Sequence, residues 1–166
     1  MTGSTRRRRL WPNIASCIDG TGRVFKSNAV VATQNNNLVD GRDAASAVPS
    51  TAYSTVTLQG LAGNTRLDGV LASSSASRAR VTSATHTFNF LRDTAGFNET
   101  MGYFHIDFAQ RYIRALGFTN VNNRRQVFSV DRTTADNSFY SPGNKQITFG
   151  TGGVDDAEDG EVVIHE

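Results

Sequence analysis

The sequence predicts an α+β fold, a mixed β-sheet packed against one long helix at about residues 97–117 and followed by the start of a second helix. Three observations predict it. Phe97, Met101, Phe104, Phe108, Tyr112 and Leu116 recur every three or four positions, the spacing of one helix face. Short runs rich in Thr, Val and Phe at 51–59, 85–91 and 126–130, set off by Gly, Asn and Ser, carry the strand signal. The closing stretch, 136–166, then reads as a hairpin, a glycine loop and an acidic helix start in succession.

Size and charge bound the answer. A chain of 166 residues suits one domain. Residues 1–22 read as a disordered basic tail and 23–166 as the folded part. Hydrophobic content of 38% supports a core but leaves much of the chain for loops. The net charge of +2 hides an asymmetry, because Arg6, Arg7, Arg8 and Arg9 stand together and the remainder is slightly acidic. Such a run suits nucleic acid or an anionic membrane surface. Apart from Trp11 it lacks the interleaved aromatics of a stacking surface, so it reads as a solvated terminus with no specific nucleic-acid partner. Cys17 is the single cysteine and has no internal disulfide partner. Nothing approaches the ~18 apolar residues of a membrane span. No apolar segment follows Leu10, Trp11 and Pro12, so no secretory signal is visible.

Taken in order, Gly20, Thr21 and Gly22 read as a turn, 29–33 (AVVAT) as a strand, and 34–47 as an Asn-rich loop in which Asp40, Arg42 and Asp43 read as solvated, a cation site at Asp40 and Asp43 being the alternative. Residues 51–59 read as a strand with Val56 and Leu58 on one face, and 67–72 as its return strand. The SSSAS run at 73–77 reads as a low-complexity loop without packing value. Residues 80–83 and 85–91 read as a further strand, with His86 a hydrogen-bonded structural histidine. The long helix follows, capped by Asp93 or Thr94 and ended by Gly117. His105 and Asp107 lie beside its apolar stripe and are expected to be structural, while Arg111 and Arg114 form a solvated face. After a polar connection, 126–130 is a short strand.

The closing stretch carries the chemistry. Asn137, Ser138, Phe139 and Tyr140 form the expected edge strand, with a turn at Ser141, Pro142, Gly143 and Asn144 and a second strand over 146–149. Asp155, Asp156, Glu158, Asp159 and Glu161 precede Val162, Val163 and Ile164, so a helix is expected to begin near Asp155 with its acids offsetting the positive end of the dipole. Calcium is the cation such oxygens would take, although the spacing is not that of an EF-hand. The chain closes on His165 and Glu166.

Residues 146–166, QITFGTGGVDDAEDGEVVIHE, resemble the approach to the active-site helix of thermolysin-like and fungalysin-like zinc metallopeptidases, the gluzincins. The NSFY segment at 137–140 resembles their substrate-holding edge strand, and 101–118 (MGYFHIDFAQRYIRALGF) the long helix before it. In that family a His-Glu-x-x-His segment places two zinc-binding histidines one helical turn apart, with the Glu as general base. The resemblance implies that His165 is a zinc ligand and Glu166 the catalytic base. It implies that Asn137, Ser138, Phe139 and Tyr140 bind an extended peptide or protein substrate, and that the full enzyme is extracellular. The second His and a later Glu ligand are absent from these residues. The chain therefore reads as the N-terminal part of a peptidase, inactive by itself. A non-catalytic, β-rich interaction module is the alternative.

Overall fold

The structure, a computed structural model, describes residues 17–39 and 44–166. The Arg6–Arg9 run, Trp11, Asp40, Arg42 and Asp43 lie outside the described residues. The fold is α+β, as the sequence predicts, with its strands divided between two sheets.

Strand β1, Ile18–Val24, pairs antiparallel with β2, Ser54–Leu61. The expected turn at Gly20 and Gly22 is therefore strand, and the folded part begins at least four residues before position 22. A Cβ at Gly22 would come within 2.7 Å of the Thr100 side chain and 2.9 Å of Leu58, so the glycine lets the strand press against its neighbours. Between these strands lies α1, Ala29–Thr33, where a strand was expected. Asn28 decides the outcome: its side chain accepts from the Val31 amide and caps the helix. Short 3-10 turns at Ala45–Ala47 and Ser50–Ala52 lead into β2.

The expected return strand at 67–72 shrinks to β3, Ala72–Ser73, which belongs to the other sheet. The SSSAS run is not idle. Ser73, Ser74 and Ser77 are buried, and Ser73 donates to Asp68 Oδ1 at 2.6 Å. Of the next expected strand only β4, Thr87–Phe88, forms, parallel to β1. His86 has φ +55°, which breaks the alternation expected there, and its Nε2 bonds the Asn64 carbonyl at 2.8 Å.

Helix α2, Ala95–Ala115, is the long helix, with Thr94 accepting from the Phe97 amide at 3.2 Å as its cap. Gly117 ends it in the left-handed region, φ +94°. Its apolar stripe is only half buried. Phe97 and Met101 have no exposure, whereas Phe108, Tyr112 and Leu116 are each more than half exposed. The early turns instead bury almost every side, including Glu99, Tyr103, His105 and Ile106.

The second sheet runs β3, β5, β7, β6, where β5 is Gln126–Thr133, β6 Phe139–Ser141 and β7 Gln146–Gly150. β3, β5 and β7 are parallel and β6 is antiparallel to β7. α2 lies on this sheet at Gly102, where a Cβ would meet the Phe128 ring at 2.6 Å. Phe128, Phe149, Ile147, Tyr103 and Leu58 form one core, and Val24, Phe25, Phe97 and Met101 a second under the start of α2.

A 3-10 turn, Asp156–Glu158, precedes α3, Gly160–His165. The helix thus begins five residues later than expected from the acids. Asp159 is its cap, accepting from the Glu161 amide at 2.8 Å. Among the described residues no helix is long and apolar enough to cross a membrane.

Candidate active site where the C-terminal helix meets the sheet edge

β6 is the outermost strand of its sheet among the described residues. It begins two positions later than expected. Phe139 pairs with Thr148, Tyr140 with Ile147 and Ser141 with Gln146, while Asn137 and Ser138 precede the strand. Hydrogen bonds explain the shift. Residues before Asp136 are held by the glycine loop, with the Gly152 amide donating to the Ala135 carbonyl, and Ser138 Oγ donates to Asp156 Oδ2 at 2.6 Å. This crossing keeps Asn137 and Ser138 off the ladder. Asn137 and Phe139 are exposed.

The last turn of α3 and Tyr140 line one open cleft of about 320 Å³. Its long wall is α2, through Ile106, Gln110 and Ile113, and its floor includes Ile147. Val163 anchors α3 in the core, at 2% exposure, so that His165 is exposed and Glu166 half-buried at the cleft end. The structure thus brings His165, Glu166 and Tyr140 to one cavity and leaves Asn137, Ser138 and Phe139 outside its lining. Arg124 also lines it, donating to Tyr140 Oη at 3.1 Å and Gln126 Oε1 at 2.7 Å.

A zinc ion needs more than these residues offer. Catalytic sites use three protein ligands and an open position, and His165 is the one imidazole lining the cleft. Among the described residues no three His, Cys, Asp or Glu side chains are grouped to hold a metal. The residues at hand do not make a zinc site by themselves.

The acids before α3 have individual partners. Asp155 accepts from Asn98 Nδ2 at 2.5 Å, and Asp159 from Asn28 Nδ2 at 3.0 Å. Glu161 accepts from Ser27 Oγ at 2.8 Å. Glu158 forms an ion pair with Arg92 at 2.7 Å, both 2% exposed. The expected compensation of the helix dipole therefore gives way to tertiary contacts, with Asp159 and Glu161 alone in place at the helix start.

His105 is 2% exposed, and its Nε2 donates to the Phe25 carbonyl at 3.0 Å. Burial lowers its pKa, which favours the neutral ring. It is structural, as expected. Gly160 packs directly against this ring, leaving no room for a Cβ. Asp107 pairs with Arg111 at 2.5 Å, and burial raises its pKa.

Sequence reasoning missed Glu99. It is fully buried on α2, with Oε1 accepting from the Val81 amide at 3.0 Å. Burial pushes its pKa up to about 7, against the lowering effects of Ser74, the Val81 amide and Arg80. The polar triplet Asn98, Glu99, Thr100 inside an apolar helix was the available signal. Gln110 and Arg124 were also missed, because their roles depend on chain crossings that no local pattern reveals.

No protein-family model matches the chain, and a comparison with curated proteins finds no match.

Proposed function

We propose that this chain is the N-terminal part of an extracellular, zinc-dependent metalloendopeptidase that hydrolyses peptide bonds. The observation that carries the reading is that His165 and Glu166 stand together at one end of a cleft whose wall includes Tyr140 of the outer strand. In this reading His165 is one metal ligand and Glu166 the general base, and the other ligands come from outside these residues. Zinc supplies a water of lowered pKa when bound.

The substrate contact is strand addition. A free antiparallel edge offers backbone hydrogen bonds to any extended peptide, which suits an enzyme that reads backbone geometry. In this reading the role belongs to the residues within the ladder, Phe139, Tyr140 and Ser141. Asn137 and Ser138 are left to contacts beyond the strand.

The test uses the longest polypeptide expressed from the native gene. Casein cleavage that is abolished by a chelator, by His165→Ala and by Glu166→Gln supports the reading. Cleavage indifferent to all three, or none at all, removes it. The 166-residue chain alone is expected to be inactive.

One observation favours a second reading, a non-catalytic interaction module. Phe104, Phe108 and Tyr112 stack along α2 with centroid spacings of 6.1 and 6.4 Å, and Phe108 and Tyr112 are exposed. Exposed apolar patches of this kind mark binding surfaces.

A further inference from the structure

The most exposed apolar side chains gather at one place. Phe108, Tyr112, Leu116, Phe118 and Val121 are each more than half exposed, and they fall within the last two turns of α2 and the connection after it. Gly117, in the left-handed region, and the Phe118 amide, donating to the Ile113 carbonyl at 3.2 Å, turn the chain off the helix there. Residues 115–123 are exposed without a break, so Leu116, Phe118 and Val121 form a solvated apolar tip. None of the five lines the cleft that holds His165 and Glu166.

The charge of this stretch has one sign. Residues 108–126 contain Arg111, Arg114, Arg124 and Arg125 and no acid. Arg111 shares a hollow with Phe108 and is matched by Asp107. Arg124 is turned to Tyr140 in the cleft. Arg114 and Arg125 give the tip its net positive charge, and Arg114 donates to Asn123 Oδ1 at 3.4 Å, which holds it against the connection.

Apolar bulk beside positive charge selects the partner. The rings of Phe104, Phe108 and Tyr112 are turned on one another, with 22° and 12° between successive planes. Single-stranded nucleic acid asks instead for open ring faces on which bases stack. A second copy of the chain would set Arg114 and Arg125 against their own kind. A bilayer interface takes apolar side chains of any shape, and its anionic lipids attract arginine. We propose that the end of α2 and residues 116–123 form a docking surface for an anionic lipid bilayer, with Leu116, Phe118 and Val121 entering the headgroup layer and Arg114 and Arg125 at the lipid phosphates. The inference rests on the interaction-surface reading of α2, to which it gives a partner, and it requires no metal and no peptidase activity.

The experiment is flotation of the full chain with vesicles of phosphatidylcholine alone and of phosphatidylcholine mixed with phosphatidylserine. Binding is expected on the anionic vesicles only, falling as salt rises. Leu116→Ser, Phe118→Ser and Val121→Ser together are expected to weaken it at least about tenfold. Arg114→Gln with Arg125→Gln is expected to weaken it at least about fivefold. All five side chains lie outside both cores, so these variants should melt as the native chain does. Phe118→Trp in a Trp11→Phe background reports entry directly, by a blue-shifted emission on the anionic vesicles.

Binding equal on the two vesicle types, or unchanged by the three serines, overturns the proposal, as does an unshifted tryptophan. Loss of binding only when Arg6, Arg7, Arg8 and Arg9 are replaced by serine overturns it in favour of the basic run. Failure on vesicles, with oligonucleotide binding or concentration-dependent dimers that the three serines abolish, overturns the lipid partner and keeps the interaction surface. Failure of all three kinds of binding removes the surface reading as well.

Discussion

The two halves of α2 share one apolar pattern and have opposite fates. Phe97 and Met101 lie in a core with Phe25 and Val24, and Phe25 and Phe97 meet edge to face at 4.9 Å. Phe108 and Tyr112 continue the same stripe into solvent, at 53% and 58% exposure. Periodicity identifies an apolar face, but what covers the face depends on where the sheets stop. Here Val24, Phe25, Ala29, Val48 and Ala52 pack with Phe97 and Met101, while Phe108 and Tyr112 belong to neither core among the described residues.

Substitutions sharpen that contrast. Phe97→Ala is expected to cost about 3–5 kcal/mol of stability in urea denaturation, as for other buried phenylalanines. A cost below about 1 kcal/mol would mean that the first half is not the better packed one. Glu158→Gln is expected to lose about 3 kcal/mol, because Arg92 would keep a buried charge without its partner. Hydrogen exchange should place the loss at α3 and the start of α2, which this pair joins.

Glu99 makes the buried half sensitive to pH. Its folded-state pKa is raised to about 7 from the ordinary 4.5, so between those values the folded chain holds a proton that the unfolded chain releases. Stability therefore falls as pH rises through that window and levels off above it. Glu99→Gln removes the slope and keeps an acceptor for the Val81 amide. The variant should match the native chain near pH 4 and exceed it by roughly 2–3 kcal/mol at pH 8. Parallel stability curves across that range would contradict the assignment. At the small end, Phe108→Ala should change stability by no more than about 0.5 kcal/mol. A loss comparable with that of Phe97→Ala would erase the contrast.

Local signals made part of this legible. Thr94, the apolar stripe and Gly117 are all within one stretch of chain, and they set the helix to within two residues. The hairpin of β6 and β7 follows from Pro142, Gly143 and Asn144 in the same way. Long-range pairing was not legible. Gly20 and Gly22 look like a turn until β2, His86 and Thr100 are seen to crowd them. Residues 29–33 look like a strand because the weight of Asn28 as a cap is small beside two valines. At the candidate site, the adjacency of His165 and Glu166 is in the sequence. Their sharing of a cleft with Tyr140 and Gln110 depends on contacts across 25 to 56 positions, and no periodicity carries them.

The central proposal is that His165 and Glu166, at the end of α3, are part of a metal-binding motif. The most direct measurement is the native coding frame immediately beyond the Glu166 codon. The account predicts two further residues and then a histidine, one helical turn from His165 on the same face, with a glutamate-bearing helix downstream. A stop codon, or an open frame without that histidine, would contradict it and leave the exposed face of α2 as the better guide to function.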